Sequence, residues 1–348
     1  MDLDDLDYNL PKELIALYPV KPRDESNLII NNKIPKIVRF KSILKELNAG
    51  DAIILNNTKV LLSDFDGFLK KKKISINLNK LEDKIRNIWS VFIKAKVQIF
   101  IGDKILVFDS YHAHVEKIFN SKGKREIYLK FNLSVNKLKK KIEEFGRTPL
   151  PPYIKKRGHK KSDKNDYQTV FAKEEGAVAA PTASLHFTKN LISKLLKKKI
   201  KIIFITLHVN GGTYLPIRYK NVLEHEMYFE YGYISKKSAD TINKIKSTGG
   251  RIIAVGTTVL RLLESSKDNE GNIRPFKGET NLFIKPGYEI NTIDGLITNF
   301  HTPKSTLLLI IFCLIGKEST MELYRFAIKK KLRFFSYGDA CLIWNKSD

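Results

Sequence analysis

The segment 176–188 places four polar side chains within seven residues, just before a predicted amphipathic helix. Its first half is rich in alanine and glycine, so the backbone there can approach a ligand or a neighbouring strand closely. Its second half supplies Thr182, Ser184, His186 and Thr188. Such a cluster at a helix entrance either caps free backbone N–H groups or holds an anionic or polar ligand. Spacing alone leaves both interpretations open.

Two further stretches carry histidines. In 206–214 a buried strand runs into a glycine pair, and α/β proteins place ligands where strands end in such turns. His208 on that strand is either a proton-transfer group or a core histidine whose ring nitrogens are satisfied by neighbours. His225 lies between Glu224 and Glu226, two carboxylates that could hold its ring oriented and basic.

Two stretches later in the chain combine a strand, a polar turn and a helix start. In 252–264 the N–H groups after a Gly-Thr-Thr turn could bind a carboxylate or a phosphate, although ordinary N-capping explains the pattern almost as well. The stretch 296–306 repeats this arrangement and adds Lys304 as a cation. Residues 333–339 then supply an aspartate after a glycine turn.

Four of the seven histidines lie in these stretches, yet no metal site is predicted. None of the four has the short His-x(2–4)-His spacing of a zinc site, and Cys313 and Cys341 form neither a CxxC pair nor a disulfide framework. Neither G-x-x-x-x-G-K-[ST] nor G-x-G-x-x-G occurs, which argues against a P-loop or Rossmann cofactor site. A metal-dependent hydrolase built on the four histidines is the alternative that elemental analysis would test.

The composition indicates a globular protein with a polyanionic partner. Of 348 residues, 43% are hydrophobic, and 62 Lys and Arg against 37 Asp and Glu give a formal net charge of +25. This excess favours nucleic acid or an anionic membrane surface through counterion release. A coding bias toward A and T, which also enriches Lys, Ile and Asn, is the alternative explanation.

Two features predict a cytoplasmic protein. The acidic start at 1–7 is unlike a signal or transit peptide. The longest apolar stretch, 307–315, reaches about half of a membrane span.

Helix and strand patterns alternate over most of the chain, which predicts an α/β (mixed α+β) layer structure. The predicted strands of this part are 28–30, 52–55, 201–207 and 251–255, and the predicted helices are 40–47, 191–199 and 239–246.

Residues 65–145 differ from the flanking sequence. Short runs that alternate apolar and polar residues are separated by turn pairs at Gly102-Asp103 and Lys122-Gly123. This alternation predicts closely spaced antiparallel strands. We therefore expect a small antiparallel β-barrel domain at 65–145, inserted into a larger discontinuous mixed-sheet domain at 1–64 and 146–348. The predicted barrel strands are 74–78, 89–93, 104–108, 112–115 and 126–131.

Lysines cluster in two settings. The runs at 70–73, 139–141 and 197–199 are most simply solvated faces. The stretch 153–161 instead mixes aromatic and basic residues in a glycine-containing loop, which suits RNA phosphates and base stacking. Its candidate RNA contacts are Lys155, Lys156, Arg157 and Lys160.

Taken together and in this order, these stretches resemble the S-adenosylmethionine:tRNA ribosyltransferase-isomerase family of queuosine biosynthesis. The resemblance is collinear over nearly the whole chain, and its specificity comes from the ordered set of pieces. The matching pieces are PRD at 22–24, LNNT at 55–58, GD at 102–103, PLPPYI at 149–154, DYQTV at 166–170, the segment 176–188, TLHV at 206–209, HE at 225–226, VGTT at 255–258, PGY at 286–288, TNFH at 298–301, PKST at 303–306 and RFFSYGD at 333–339.

The resemblance implies a two-domain enzyme, with a β-barrel inserted into an α/β domain, that uses no metal and no bound cofactor. Members of the family transfer and isomerise the ribosyl group of S-adenosylmethionine onto the 7-aminomethyl-7-deazaguanine base at the tRNA wobble position. Epoxyqueuosine forms, and adenine and methionine leave. The expected partners are therefore S-adenosylmethionine as co-substrate and tRNA with a GUN anticodon. A cytoplasmic monomer is expected.

This chemistry accounts for the residue types. A sulfonium beside the ribose 5′ carbon acidifies the protons there, so a positioned histidine or carboxylate could remove one. The leaving adenine needs a proton donor, and the attacking amine must be neutral. We expect His186 and His208 to transfer protons, and Glu226 or Asp339 to orient them or to face the sulfonium.

The methionine carboxylate of the co-substrate would be held by N–H groups or a lysine at a helix start. The further expected substrate-binding residues are Thr182, Ser184, His225, Gly256, Thr257, Thr258, Arg261, Asn299, His301, Lys304, Ser305, Thr306, Arg333 and Tyr337.

The chain departs from the family pattern at several positions. Asp64 stands where the family usually has an arginine, Val97 and Gln98 where relatives carry a basic pair, and Glu289 where a basic residue is common. These departures weaken the RNA contacts that the resemblance would otherwise transfer. Asn210 replaces the first glycine of a Gly-x-Gly-Thr turn, and we expect it to tolerate a positive φ there.

A non-catalytic RNA-binding protein that uses the barrel and the basic loops is the alternative from another class. It would explain the charge but not the polar loops at the strand ends. Release of adenine from S-adenosylmethionine discriminates the two.

Overall fold

The structure is a computed structural model that describes residues 1–121, 124–214, 217 and 219–345. The turn predicted at Lys122-Gly123 lies outside these residues.

Seventeen strands occur in the described residues. Before the barrel lie β1 Asn27–Asn31, β2 Lys36–Arg39, β3 Ala52–Asn56 and β4 Thr58–Val60. The barrel contains β5 Asp64–Leu69, β6 Lys72–Asp83, β7 Ile88–Lys94, β8 Lys104–Val107, β9 Tyr111–Ser121 and β10 Lys124–Phe131. After it follow β11 Glu174–Ala177, β12 Lys201–Leu207, β13 Glu230–Ile234, β14 Ile252–Val255, β15 Phe276–Thr280, β16 Gly295–Asn299 and β17 Ala340–Trp344.

The α-helices of the described residues are α1 Val135–Phe145, α2 Pro152–Lys155, α3 Asp163–Asp166, α4 Lys189–Lys197, α5 Lys236–Ser247, α6 Thr257–Ser266, α7 Thr306–Ile315 and α8 Lys317–Lys329. Short 3-10 helices lie at Leu3–Leu6, Lys12–Leu14, Arg23–Glu25, Phe40–Lys45, Thr182–His186, Gly211–Tyr214 and Val222–Glu224. The predicted helix at 40–47 is therefore a shorter 3-10 helix. None of the helices in the described residues is long and apolar enough to cross a membrane.

A nine-stranded mixed sheet carries the larger part of the fold, in the order β15-β13-β12-β3-β14-β16-β17-β1-β2. The four central strands β12, β3, β14 and β16 run parallel to one another. Their residues are apolar at consecutive positions because helices cover both faces. In β3, Ile54 packs into the core on one face, while Ile53 and Leu55 pack into the core on the other. The predicted α/β (mixed α+β) class is confirmed.

Six antiparallel strands close into a barrel in the order β10-β7-β6-β5-β8-β9, as predicted for this part of the chain. Helix α1 contributes Leu138 and Ile142 to the barrel core. The sequence pattern missed β5, whose two aspartates and glycine are poor strand formers. Gly67 is needed there, because a Cβ at this position would lie 3.0 Å from the carbonyl oxygen of Leu106 on β8.

An ion-pair network joins the barrel to the main sheet domain. Asp64 begins β5, is fully buried, and pairs with Arg147 and Lys155, while His159 Nε2 lies 3.5 Å from its carboxylate. Arg147 also contacts both carboxylate oxygens of Asp66 at 2.8 Å. Asp64 therefore binds the side chains of Arg147 and Lys155, which follow the barrel in the chain. The resemblance implies an arginine at position 64, and this chain has the opposite charge there. The predicted domain bounds, 1–64 and 146–348 around 65–145, stay a prediction, with the barrel strands and α1 spanning 64–145.

Candidate functional site

The four parallel strands end at one edge of the sheet, at Asn56, Leu207, Val255 and Asn299. Parallel strands that share a direction bring the loops after them together. The polar stretches singled out in the sequence follow three of these strands. The structure thus assembles much of the candidate site from loops that are distant in sequence.

His186 is held at this edge by partners on both ring nitrogens. Its Nδ1 lies 2.8 Å from Ser26 Oγ, and its Nε2 lies 3.3 Å from Asn299 Nδ2. Asn299 also accepts a hydrogen bond from Thr182 Oγ1 at 2.9 Å, and the imidazole stacks on Phe40. The 3-10 helix that carries His186 is therefore fastened to the end of β16.

The protonation of His186 follows from this environment. Burial, together with the nearby positive charges of Arg333 and Arg23, lowers the pKa of His186 to about 3. The ring is neutral at physiological pH. It can thus orient a ligand or accept a proton transiently, but it does not supply a standing positive charge.

His208 lies one residue beyond β12 and is only partly buried. Its Nδ1 is 2.7 Å from Thr58 Oγ1, and its ring stacks on Tyr231. Burial lowers the pKa of His208, and the Glu174 carboxylate partly opposes this effect. Gly176 gives the ring its space, because a Cβ there would lie 2.8 Å from ring atoms. His208 is thus a positioned, partly accessible imidazole.

A small opening, with a cavity volume of about 20 Å³, lies beside this edge. It is lined in part by His225, Thr306 and Arg261. Arg261 is 3% exposed, pairs with Glu230, and donates from Nε to the carbonyl oxygen of Leu282 at 3.0 Å. Residues from three of the predicted stretches therefore line one opening, and one of them is the buried guanidinium of Arg261.

The barrel touches the same region. The Gly211 N–H donates to Asn79 Oδ1 of β6 at 2.9 Å, and a Cβ on Gly211 would lie 2.7 Å from the Phe92 ring of β7. Asn210 shapes this turn with its side chain, since its Oδ1 accepts the Gly212 N–H at 2.8 Å. The turn forms without the positive φ that asparagine tolerates, because Asn210 keeps an ordinary φ.

The start of α6 also faces this region. Gly256 adopts a φ of +93°, which favours glycine, and Thr257 follows it as the first helical residue. The hydroxyl groups of Thr258 and Ser184 are buried, and neither has a hydrogen-bond partner among the described residues. They are available to a polar ligand.

Lys304 does not act as the isolated cation that its sequence position predicted. Its ammonium pairs with Asp4 at 2.8 Å and Asp7 at 3.1 Å, and these partners raise the pKa of Lys304. The Ser305 hydroxyl donates back to the carbonyl oxygen of Thr302 at 2.8 Å and makes no cap hydrogen bond to α7. Asp4 and Asp7 therefore neutralise the Lys304 ammonium, which we had expected to bind the carboxylate of the ligand.

His301 is a buried structural histidine in this arrangement. Its Nε2 lies 3.0 Å from Thr298 Oγ1, and its backbone N–H donates to the Tyr324 hydroxyl at 3.0 Å. Burial lowers the pKa of His301 to about 3.

Asp339 uses its carboxylate to join two strand starts. It accepts the backbone N–H groups of Asn27 and Arg333, both at 2.8 Å. The carboxylate is fully buried, so it stabilises the edge of the sheet. Tyr337, two residues before it, is buried with no hydrogen-bond partner for its hydroxyl among the described residues.

Glu226 is exposed and lies between His225 and Met227, which both line the opening.

The candidate RNA contacts fall into two groups. Lys155 pairs with Asp64, and the Arg157 guanidinium lies 2.5 Å from the Asp163 carboxylate, with both side chains buried. Lys156 and Lys160 are exposed. Two of the four expected cations are thus engaged within the protein.

Three positions at which the sequence departs from the family pattern, Val97, Gln98 and Glu289, lie outside the sheet edge. Val97 packs against the barrel core, and Gln98 lies in the loop before β8. Glu289 is exposed, and its carbonyl oxygen accepts from Lys267 Nζ.

Sequence reasoning missed several partners of the site residues. Ser26 carries no sequence signal, because its role depends on a histidine 160 positions away. Thr58 stands at a strand end, and Glu230 is a lone acid in an otherwise apolar strand, so both had a detectable pattern. Among the described residues, no group of three or more His, Cys, Asp or Glu could hold a metal ion. The expectation of a metal-free enzyme stays a prediction.

Comparison with known proteins places the chain in a family. The family model described as "Queuosine biosynthesis protein" matches residues 3–343. The S-adenosylmethionine:tRNA ribosyltransferase-isomerase of Rickettsia bellii (strain OSU 85-389) is 42% identical over 361 residues, covering 99% of this chain and 100% of the relative. The protein of the same name from Agrobacterium fabrum is 39% identical over 368 residues and is covered completely, as is this chain.

A solved structure agrees with these relatives. The crystal structure of S-adenosylmethionine tRNA ribosyltransferase from Thermotoga maritima is 29% identical, with a TM-score of 0.54, and the match covers 97% of this chain and 99% of that one. Since every match runs nearly end to end, the chain belongs to the S-adenosylmethionine:tRNA ribosyltransferase-isomerase family of queuosine biosynthesis and is an enzyme, a transferase-isomerase, of tRNA modification.

Proposed function

We propose that this enzyme transfers and isomerises the ribosyl group of S-adenosylmethionine onto the 7-aminomethyl-7-deazaguanine base at the wobble position of tRNA. Epoxyqueuosine forms, and adenine and methionine leave. The observation that carries the proposal is the meeting of the polar stretches at one edge of the parallel strands, within a chain that matches the family from end to end.

His208 is the proton-transfer residue that the geometry favours. The sulfonium acidifies the ribose 5′ protons, and removing one of them needs an imidazole that is neutral, positioned and reachable. His208 meets these conditions, because burial lowers its pKa, Thr58 holds its Nδ1, and its ring is partly exposed. The same ring, once protonated, can return the proton to the leaving adenine.

His186 takes a different part in this proposal. Both of its ring nitrogens have partners in the protein, so we assign it to orient the ribosyl group through the Thr182, Asn299 and Ser26 cluster. Glu226, which is exposed beside the opening, is the carboxylate that we assign to the sulfonium in place of the buried Asp339.

The macromolecular partner in this proposal is tRNA with a GUN anticodon, bound by a cytoplasmic monomer. The formal net charge of +25 supports a polyanionic partner. Lys156 and Lys160 are exposed cations of the basic loop and are our candidates for phosphate contacts.

The test is an assay of adenine release from S-adenosylmethionine with tRNA that carries the aminomethyl-deazaguanine base. Chromatography quantifies adenine, and mass spectrometry of the digested tRNA identifies the modified nucleoside. We expect adenine and epoxyqueuosine in equal amounts. Tight binding of the tRNA without any adenine would instead support the non-catalytic RNA-binding alternative.

A further inference from the structure

Arg261 is a buried cation whose orientation is fixed by the protein. It sits on α6, is 3% exposed, and pairs through Nη1 with Glu230 of β13. Its Nε donates to the carbonyl oxygen of Leu282 at 3.0 Å. Contacts at two different nitrogens, Nε and Nη1, fix the plane of the guanidinium, so the N–H groups of Nη2 point in a set direction.

The third nitrogen of this guanidinium lacks a protein acceptor among the described residues. Arg261 Nη2 is buried and has no hydrogen-bond partner among the described residues. The side chain lines the small opening described above. A buried donor without a partner costs free energy, and a ligand oxygen would remove that cost.

The rest of the opening indicates what kind of ligand would supply that oxygen. Met227, Tyr228 and Leu307 give it an apolar wall. Since Glu230 already balances the charge of Arg261, the pair carries no net charge. A neutral pair beside an apolar wall suits the carboxylate of a zwitterionic amino acid with an apolar side chain better than a phosphate dianion.

We propose that Arg261 Nη2 binds the carboxylate of the methionyl part of S-adenosylmethionine, with Met227 and Leu307 against its methylene groups. This assignment rests on the proposed function and gives the opening a defined share of the co-substrate. It replaces Lys304, whose ammonium is paired with Asp4 and Asp7. In this proposal, Arg261 selects sulfonium compounds that carry an amino-acid carboxylate over those that lack one.

Decarboxylated S-adenosylmethionine tests the assignment, because it keeps the sulfonium, the ribose and the adenine but lacks the carboxylate. Adenine release is measured with the full chain and modified tRNA for both compounds, and equilibrium dialysis measures their binding. We expect the unaltered enzyme to prefer S-adenosylmethionine by about 10- to 100-fold in kcat/KM and in affinity, the value of a charge-assisted hydrogen bond.

The double variant R261Q/E230Q removes the charges together, so that no unpaired ion is left buried. We expect its preference between the two compounds to fall to within about threefold, by dialysis as well as turnover, because the neutral amide loses the charge assistance. The matched control is R251Q/D51N, which removes another arginine–carboxylate pair, 2.6 Å apart, at the opposite ends of the same parallel strands. This control is expected to keep the full preference.

Equal use of both compounds by the unaltered enzyme would overturn the assignment while leaving the proposed function intact, as would a double variant that keeps the preference. An unaltered enzyme that releases no adenine from S-adenosylmethionine would overturn the proposed function and this assignment with it.

Discussion

Asn299 Nδ2 lies 3.3 Å from His186 Nε2, and the same side-chain amide accepts a hydrogen bond from Thr182. One residue at the end of β16 therefore holds two polar side chains of the 3-10 helix, Thr182 and His186. The segment 176–188 is fixed at the sheet edge by this amide and by its own backbone, since the Val178 N–H donates to the carbonyl oxygen of Val209 at 2.9 Å. Of its polar residues, Thr188 caps α4 by accepting the Leu191 N–H at 3.1 Å, whereas Thr182 and His186 contact Asn299 at the end of a parallel strand.

The stability of the protein should decline in mild acid because two buried histidines are neutral. The pKa values of His186 and His301 are both lowered to about 3, below the ordinary value of 6.5. Between these values the unfolded chain binds more protons, so stability is complete above pH 6.5 and is lost as the pH falls toward 3. We expect a loss of about 2 kcal/mol per histidine from pH 7 to pH 5, measured by urea unfolding.

The variants His186→Gln and His301→Gln should each reduce the loss of unfolding free energy between pH 7 and pH 5 by about 2 kcal/mol, the contribution of one buried histidine. His114, which is exposed on the barrel, provides the control, and His114→Gln should leave the slope unchanged. A slope that stays the same in both buried-histidine variants would contradict the prediction.

Replacing His208 should impair turnover more than binding. We expect His208→Asn to lower kcat by about 100- to 10,000-fold, the usual value of a general base, while the affinity for S-adenosylmethionine stays within about threefold. Thr58→Val, which removes only the partner of Nδ1, should lower kcat by about fivefold to tenfold. Both are read from adenine release and equilibrium dialysis.

Thr241→Val is the matched control for this pair, because it removes an exposed hydroxyl on α5. Full turnover by His208→Asn would remove His208 from the reaction.

The Arg261–Glu230 pair should show strong coupling in stability. Arg261→Gln alone leaves the Glu230 carboxylate buried without its cation, and we expect it to destabilise the protein by about 3–5 kcal/mol. Adding Glu230→Gln should recover most of that loss. Lys41→Gln, at an exposed pair with Glu25, should cost less than about 1 kcal/mol. Additive effects of the two buried substitutions in urea unfolding would argue against a coupled pair.

The tRNA affinity should depend on salt through the exposed lysines of the basic loop. We expect Lys156→Ala and Lys160→Ala each to reduce the slope of log affinity against log salt by about 0.7–0.9, the share of one phosphate contact. Lys36→Ala, on the outermost strand β2, should leave the slope unchanged. Filter binding over a range of salt concentrations measures the slopes. Unaltered slopes in both loop variants would place the RNA elsewhere.

The sequence by itself determined the layer structure and the region of the site. Uninterrupted apolar runs such as 202–205 and 252–255 specify strands of a parallel sheet, because only a sheet covered on both faces needs them. Polar loops after those strands then meet at one edge, since parallel strands share a direction. The strand β5 escaped detection because its glycine and aspartates serve the barrel closure and the Asp64 network rather than strand propensity.

Only the tertiary structure decided which polar groups face a ligand and which face the protein. His186 meets Ser26, Lys304 meets Asp4, and Asp64 meets Lys155, each across a long stretch of chain. These pairings depend on the order of strands in the sheet and on where the barrel sits, which local periodicity does not encode. The sequence shows which side chains are charged. Whether a charge is already paired within the protein depends on the distance to its nearest opposite charge, which only the tertiary structure sets.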